Sequence, residues 1–344
     1  MPRKIYVDIV KFIGIALVVL GHNAVLQETN DSYLYNLTYA FHMPLFFFLS
    51  GCFISEQKGL KEQLFSKFDS LLKPYIVISI LLIIKNLLEG SLTINYMAGL
   101  LYGNGLTIEW IPMWFLTHLF IASMVSYAIL RMVFSHITVE FLKLAFIFGM
   151  LYVGVFYIKA FWLGDALYFR DSNLLGLPFS FDILLVTVPY LLLGHMYRKS
   201  VLGMQANHFL GVLSVLAVLT LNFLFNDKID LNLRNYDNFV TVNLKVACSI
   251  YAVLYLSLIL SKIDLVNIVF AYSGKASMFI LIFHFYIQAK SYNILKDKFG
   301  LDTSAEVISF FLGMILPIVM YWLVTNNKFS ATIMLPIKTK KSIR

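Results

Sequence analysis

The chain has 344 residues, of which 60% are hydrophobic and only 13% are charged. A soluble fold needs a far more polar surface, so this composition excludes a single soluble domain. The formal net charge of +8 is spread between hydrophobic runs and does not cluster in one segment, which argues against nucleic acid as a partner. We therefore expect an integral membrane protein whose principal surroundings are the lipid bilayer.

Ten hydrophobic runs follow one another along the chain, each about as long as a helix that crosses a membrane. They lie near residues 5–27, 37–56, 71–89, 110–133, 138–158, 179–197, 206–226, 238–260, 265–289 and 304–325. Near-continuous runs favour helices, because the strands of a membrane barrel alternate in polarity. The sequence predicts an all-α, polytopic transmembrane helix bundle of about ten helices. It forms one membrane domain over residues 1–344, with no separate soluble domain.

The distribution of Lys and Arg predicts the orientation, because basic residues are retained on the cytoplasmic side of a membrane. Most of them fall in the segments on the same side as the two chain ends, so we expect both termini in the cytoplasm. Lys290, Lys296 and Lys298, in a predicted loop on the opposite side, go against this trend. The register of the last two helices therefore stays open.

The first predicted helix carries polar residues on an apolar stripe. Asp8, Lys11 and His22 share one face, since the eleven residues from Lys11 to His22 make almost three turns. An ionisable group inside a bilayer costs roughly 2.5–3.5 kcal/mol, so we expect Lys11 and His22 to face the bundle interior. Lys11 has a simpler alternative as a side chain that snorkels to the inner interface beside Asp8. His22 follows an apolar run and has the imidazole that suits a general base near neutral pH.

The second predicted helix begins with residues 41–51, which read Phe-His-Met-Pro-Leu-Phe-Phe-Phe-Leu-Ser-Gly. Pro44 fits the first turn of a helix, and Ser50 with Gly51 forms a small patch that lets another helix or a ligand approach closely. We expect His42 at a depth similar to that of His22. For His42, a structural role and a catalytic role both stay open.

Several segments together resemble the acyltransferase 3 family of membrane-bound O-acyltransferases, in particular its branch similar to fucose 4-O-acetylases and polysaccharide O-acetyltransferases. These segments are residues 5–23, residues 41–51, Lys73-Pro74-Tyr75 and Pro112-Met113-Trp114-Phe115-Leu116. A later pattern, Tyr272-Ser273-Gly274-Lys275-Ala276-Ser277 followed by His284, looks like the family's late helix. Between residues 130 and 265 the chain matches only as hydrophobic spans.

The resemblance implies transfer of an acyl group, usually acetyl from acetyl-CoA, to a hydroxyl of a sugar or surface glycan. It also implies a multi-pass protein of the bacterial cell (cytoplasmic) membrane. The family's first helix carries Arg, ten residues and then His, and here Lys11 and His22 occupy those positions. Lys keeps the charge but loses the planar fork that suits phosphate, which weakens the expected role of Lys11 in holding the CoA phosphates.

On this basis we predict that His22 takes the proton of the sugar hydroxyl as it attacks the thioester directly. His42 and His284 are candidates for stabilising the resulting oxyanion, although each has an alternative as a structural residue. The predicted cofactor-binding residues are Lys11, Lys67, Lys73 and Tyr75. The predicted substrate-binding residues are Asp8, Ser50 and Trp114. The lysines have an alternative as contacts to anionic lipid, and the aromatic residues as interface anchors.

Two rival functions stay open. A transporter or exporter of a glycan or lipid-linked precursor would show the same intramembrane His and basic inner face, although no inverted repeat is evident. A catalytically silent scaffold in polysaccharide assembly is the second. No His pair has the helical spacing of a zinc site, so no metal is expected. The acceptor sugar, the acyl chain, an acyl-enzyme intermediate and a homo-oligomer also stay open.

Overall fold

The computed structural model describes residues 4–23, 33–158, 176–301 and 303–337, and these residues are almost entirely helical. In chain order the α-helices are α1 (Ile5–Gly21), α2 (Tyr33–Tyr39), α3 (His42–Gly51), α4 (Leu60–Lys67), α5 (Lys73–Leu88), α6 (Ile94–Tyr102), α7 (Trp114–Ile129), α8 (Glu140–Ile158), α9 (Leu184–Met196), α10 (Arg198–Leu202), α11 (His208–Leu224), α12 (Phe239–Leu260), α13 (Asp264–Lys275), α14 (Ser277–Phe299), α15 (Thr303–Asn326) and α16 (Lys328–Met334). Within the described ranges, β-structure is limited to the antiparallel hairpin of β1 (Ile229–Asp230) and β2 (Asn235–Tyr236). The predicted all-α class is confirmed.

Among the described residues, six helices are long and apolar enough to cross a membrane by themselves, which confirms a polytopic membrane protein. They are Leu60–Leu88, Ile111–Phe134, Glu140–Ile158, Pro178–Met196, Phe239–Leu260 and Ser304–Asn326. A bent pair, α13 and α14, adds a seventh span if it is counted as one. The other three predicted runs form shorter helices, because α1 and α11 have 17 residues each and α3 has ten. Hydropathy records the length of an apolar run and not where its helix breaks, so it overstates the number of full-length spans.

The prediction of a loop directly after the ninth hydrophobic run is wrong. Helix α14 meets α13 at an angle of 76° and then continues to Phe299, where Gly300 ends it in the left-handed conformation with φ 62°. Lys290, Lys296 and Lys298 therefore lie on a helix and not in a connecting loop. The predicted cytoplasmic ends, residues 1–3 and 338–344, lie outside the described residues.

The protein comprises two compact units. The first contains Met1–Cys52 and Leu193–Tyr321, and the second contains Phe53–Leu192 and Trp322–Arg344. The sequence-based expectation of one domain over residues 1–344 stays a prediction.

The first unit is built around α1, which packs against α12, α13 and α14. A buried apolar cluster joins three of its helices, with members Ile15, Val18 and Val19 of α1, Ile280 of α14 and Met314 of α15. The backbones of α1 and α13 approach closely at Gly274 of α13, where an added Cβ would lie 1.8 Å from the carbonyl oxygen of Asp8. Glycine at this position lets α13 lie directly on the backbone of α1.

The second unit contains a strained turn that precedes α9. Phe179 and Ser180 have φ values of 52° and 55°, a region that costs a residue with a side chain about 1 kcal/mol or more. His118 of α7 holds this turn, because its ring lies 3.1 Å from the Phe179 carbonyl oxygen and 2.8 Å from the Thr187 hydroxyl. His118 is fully buried with both ring nitrogens in use, which gives it a structural role.

Candidate active site

His22 is the first residue after α1, and its ring is held by the backbone of its own helix. The Nδ1 atom lies 2.8 Å from the carbonyl oxygen of Val18. A carbonyl oxygen only accepts, so in the neutral ring Nδ1 carries the proton and Nε2 carries the lone pair. The Phe285 ring packs edge-on against the imidazole, with centroids 5.5 Å apart. Both contacts orient His22 with a basic nitrogen pointing away from α1.

His284 lies beside His22. Its Nδ1 is 2.7 Å from the Ile280 carbonyl oxygen and 3.0 Å from that of Leu281, so this nitrogen donates. The lone pair of His284 is therefore on Nε2, which lies 3.5 Å from Nδ1 of His22. The two ring centroids are 5.2 Å apart. The structure thus brings together two histidines that are 262 positions apart in the chain.

His42, the first residue of α3, repeats the same arrangement. Its Nδ1 lies 2.7 Å from the carbonyl oxygen of Thr38, and the Tyr39 ring stands perpendicular to the imidazole with centroids 5.0 Å apart. His42 interacts electrostatically with His22. We call His22, His42 and His284 the histidine cluster.

The members of the histidine cluster differ in exposure. His42 is 4% exposed and His284 is fully buried, whereas His22 is partly exposed. A general base must reach the proton that it takes. Of the three, His22 is therefore the best placed to take a proton from a substrate.

Asp230 of β1 is a neighbour of the cluster that sequence reasoning missed. Its carboxylate interacts electrostatically with His22 and accepts a hydrogen bond of 2.9 Å from the Leu233 backbone N–H. Burial raises the pKa of the Asp230 carboxyl, and this effect outweighs the Leu233 N–H, His22 and Arg234, which lower it. An acidic side chain in a loop between two apolar runs gives no sign in the sequence that it will meet a residue more than 200 positions earlier.

The hairpin that carries Asp230 is fixed at both ends. Lys245, a buried lysine of α12, donates to the carbonyl oxygens of Phe225 and of Asp227, the latter at 2.9 Å. Asn238 caps α12 by accepting hydrogen bonds from the first turn. Lys228 lies over the Tyr35 ring at 5.0 Å, which ties the loop to α2. Asp230 is thus held by a rigid segment and not by a loose loop.

The comparisons with known proteins decide the family. A family model described as an acyltransferase domain, that of the acyltransferase 3 family, matches residues 4–325. The chain belongs to the acyltransferase 3 family. The match covers the whole histidine cluster, so the acyltransferase predicted from the sequence motifs is confirmed at the level of the family. Searches of curated proteins and of solved structures found no match.

At the other end of α1, this acyltransferase pairs Lys11 with Asp8. The Lys11 Nζ lies 3.5 Å from the Asp8 carboxylate, and Asp8 is buried while the Lys11 side chain is 33% exposed. His22 follows Lys11 by eleven positions, about 16 Å along the helix. This pair is the arrangement expected of a lysine that snorkels beside Asp8. The predicted contact of Lys11 with CoA stays a prediction.

Ser50 lies near the end of α3, eight residues after His42 and so about 12 Å from it along the helix. This separation does not favour Ser50 as a nucleophile activated by His42. Its predicted contact with substrate stays a prediction.

The other predicted binding residues of the acyltransferase lie in the second unit. Lys73 forms a salt bridge of 2.6 Å with Asp69 and donates to the carbonyl oxygens of Thr332, at 3.1 Å, and Leu335. These contacts use the donors of its ammonium group and hold α16 against α5. They account for Lys73 without a bound phosphate.

The two aromatic residues predicted to bind CoA or substrate are buried in the second unit. Tyr75 is buried and donates its hydroxyl to the Leu100 carbonyl oxygen at 2.5 Å. Trp114 is buried against Phe115 and His118. Neither side chain has the exposure of an interface anchor. The remaining predicted residue, Lys67, is partly buried at the end of α4. Their predicted contacts with CoA or sugar stay predictions.

No group of three or more His, Cys, Asp or Glu side chains within the described ranges is arranged to hold a metal ion.

Proposed function

We propose that this protein transfers an acetyl group from cytoplasmic acetyl-CoA to a sugar hydroxyl of a surface glycan or its precursor, in the bacterial cytoplasmic membrane. The proposal extends the family assignment to the branch similar to fucose 4-O-acetylases. One observation carries the role of His22. Its Nδ1 is held by the Val18 carbonyl oxygen, so the lone pair of a partly exposed ring is on Nε2.

The reaction follows from this tautomer. His22 Nε2 takes the proton of the sugar hydroxyl while the oxygen of that hydroxyl forms a bond to the thioester carbonyl carbon. The carbonyl oxygen becomes an oxyanion in the tetrahedral intermediate. When the intermediate collapses, the C–S bond breaks, and the proton on His22 passes to the CoA thiolate. The products are an acetyl ester and a free CoA thiol, and His22 returns to its starting form.

His284 supports the protonated state of His22. After His22 gains a proton on Nε2, its Nδ1–H points to two acceptors, the Val18 carbonyl oxygen and the Nε2 lone pair of His284. The Asp230 carboxylate adds a favourable charge interaction with the imidazolium. This role differs from the oxyanion contact expected of His284 from the sequence, because a nitrogen with a lone pair accepts and does not donate.

Acetyl-CoA turnover by the purified protein tests the proposal. Release of the CoA thiol is measured with and without a surface-glycan extract, for wild type and His22→Ala. Loss of a general base lowers the rate by about 10²–10⁴-fold, so we expect glycan-dependent release to disappear in the variant. The matched control is His208→Ala. His208 is an exposed histidine of α11, and its ring forms a hydrogen bond with the Tyr255 hydroxyl.

Two results would contradict the proposal in different ways. Undiminished glycan-dependent release by His22→Ala would exclude His22 as the base while leaving the acyltransferase in place. Absence of any release by folded wild type would favour the rival transporter of a glycan or lipid-linked precursor.

A further inference from the structure

Gln288 carries a buried side-chain amide. The residue is 2% exposed, and neither its Nε2 nor its Oε1 has a hydrogen-bond partner among the residues that the structure describes. A buried amide left unpaired costs about 1–3 kcal/mol, so buried amides in folded proteins almost always meet protein, water or ligand. The amide of Gln288 is therefore a candidate for contact with a substrate.

Gln288 lies close to the histidine cluster. It follows His284 by four residues on α14, so the two side chains share one face of the helix. Gly313 of α15 marks the same place, because an added Cβ there would lie 3.5 Å from the Cβ of Gln288, from the His284 carbonyl oxygen and from a methyl of Val19. Three helices thus converge at Gln288, one turn from the residue that contacts His22.

Thr38 is a second orphaned polar group beside His22. Its hydroxyl is buried, and the described part of the chain offers it no hydrogen-bond partner. The Thr38 methyl lies 2.8 Å from where a Cβ at Gly21 would be, and Gly21 immediately precedes His22. Orphaned polar side chains therefore lie on two elements near the proposed base. Thr38 of α2 packs on Gly21, and Gln288 of α14 is one turn from His284.

The chemistry of these two groups selects the kind of ligand. An amide presents two N–H donors and an acceptor oxygen, and a hydroxyl both donates and accepts. A thioester carbonyl or a phosphate only accepts, and it would leave the amide oxygen of Gln288 unpaired. Neighbouring hydroxyls on a sugar ring donate and accept together, so they can satisfy both atoms of the amide.

We propose that Gln288, with Thr38, binds the acceptor sugar through the hydroxyl groups that neighbour the reacting one. This inference rests on the proposed function and adds to it the residues that choose the acceptor. Gln288 orients the sugar so that one hydroxyl faces Nε2 of His22, and its neighbours occupy the amide and the Thr38 hydroxyl. The pair thereby determines which hydroxyl is acetylated.

The test separates transfer to sugar from reaction with water. Probes are methyl glycosides of fucose, glucose and galactose together with their monodeoxy derivatives, and acetyl-CoA hydrolysis without acceptor is measured in parallel. For Gln288→Leu, we expect kcat/KM for the preferred glycoside to fall on the order of 10- to 100-fold, while hydrolysis stays unchanged. The matched control is Gln63→Leu, the same change at a buried glutamine of the second unit.

The monodeoxy sugars give the sharper result. In wild type, one of them should lose a similar factor because it lacks the hydroxyl that contacts Gln288. In Gln288→Leu the same derivative should lose nothing further, since the two changes remove one interaction. Persistence of the full deoxy penalty in the variant would overturn the proposal. An equal fall of transfer and hydrolysis would also overturn it, because such a residue acts on the acyl group or on the fold.

Failure of the proposed function is detected in a separate experiment, the glycan-dependent release of CoA by wild type and His22→Ala. If wild type releases no CoA, the same glycosides are tested for thermal stabilisation of the protein. If the glycosides stabilise wild type but not Gln288→Leu, the contact between Gln288 and the sugar is supported even though no catalysis is seen. Equal stabilisation of both, or none of wild type, overturns it.

Discussion

Replacing Gly274 by alanine tests the packing that holds α13 against α1. The added Cβ would lie 1.8 Å from the Asp8 carbonyl oxygen, 2.6 Å from its carbonyl carbon and 3.1 Å from its Cα. Ordinary contact begins at 3.4 Å, so the two helices must separate by about 1.6 Å at this point. All three obstructing atoms belong to the backbone and cannot rotate aside. Overpacking costs about 1–3 kcal/mol, and we expect a value near the upper limit.

The separation should also reach the histidine cluster. His22 stands at the end of α1, and His284 is on α14, which follows α13 directly. A contact of 3.5 Å between the two rings does not survive a displacement of this size. We therefore expect Gly274→Ala to lose glycan-dependent CoA release as well as stability.

Thermal unfolding can be followed with a thiol-reactive dye in a Cys248→Ser background, because Cys52 is completely buried. At roughly 2–4 °C per kcal/mol, the unfolding midpoint of Gly274→Ala should fall by about 6 °C or more. Gly149→Ala is the matched control, since it lies within α8 and an added Cβ there meets nothing within 4 Å. Equal midpoints for the two variants, with activity retained, would refute the close approach of α13 to α1.

Two further predictions concern buried charges. Burial raises the pKa of the Asp230 carboxyl, so the folded protein binds this proton more tightly than the unfolded chain does. The resulting contribution to the free energy of unfolding is lost as the pH rises through the pKa of the folded state. Asp230→Asn should therefore unfold at a higher temperature than wild type at pH 7, and the difference should vanish below about pH 4. The same variant should release CoA more slowly, because it lacks the carboxylate that interacts with His22. A lower unfolding midpoint than wild type at pH 7 would contradict this prediction. Lys73→Met leaves the Asp69 charge buried and should cost about 3 kcal/mol in denaturant unfolding, and Asp69→Asn with Lys73→Met should recover most of it. If the double variant still shows a raised KM for acetyl-CoA, Lys73 also binds the donor.

The helical framework was predictable because hydrophobic runs of membrane length have few alternatives. Each of the ten runs contains helix in the structure, and the helix of the first run, predicted near residues 5–27, ends at Gly21, directly before His22. The sequence motifs named His22 and His284, and the fold brings their rings together, with Nε2 of His284 3.5 Å from Nδ1 of His22. The depth of these residues in a bilayer stays a prediction.

The breaks in the helices and the contacts across distant segments were not predictable. Composition does not predict the break at Ala276, because Pro317 lies inside the continuous helix α15, whereas the sequences of α13 and α14 contain no proline. Asp230 gave no motif, because its interaction with His22 arises only in three dimensions. The sequence context of Lys73 is the same whether the lysine binds a phosphate or forms a salt bridge, as it does here with Asp69. Its predicted contact with CoA stays a prediction.

The tethers of the histidine cluster have a consequence for mutational scanning. Each ring is anchored through Nδ1 to the carbonyl four residues earlier, at Val18, Thr38 and Ile280. The anchoring atoms belong to the main chain, so replacing any of these three side chains leaves the anchor in place. An alanine scan would therefore pass over the groups that choose the tautomer of every ring. Backbone substitution, such as an ester in place of an amide at the following residue, weakens the carbonyl as an acceptor and would expose them.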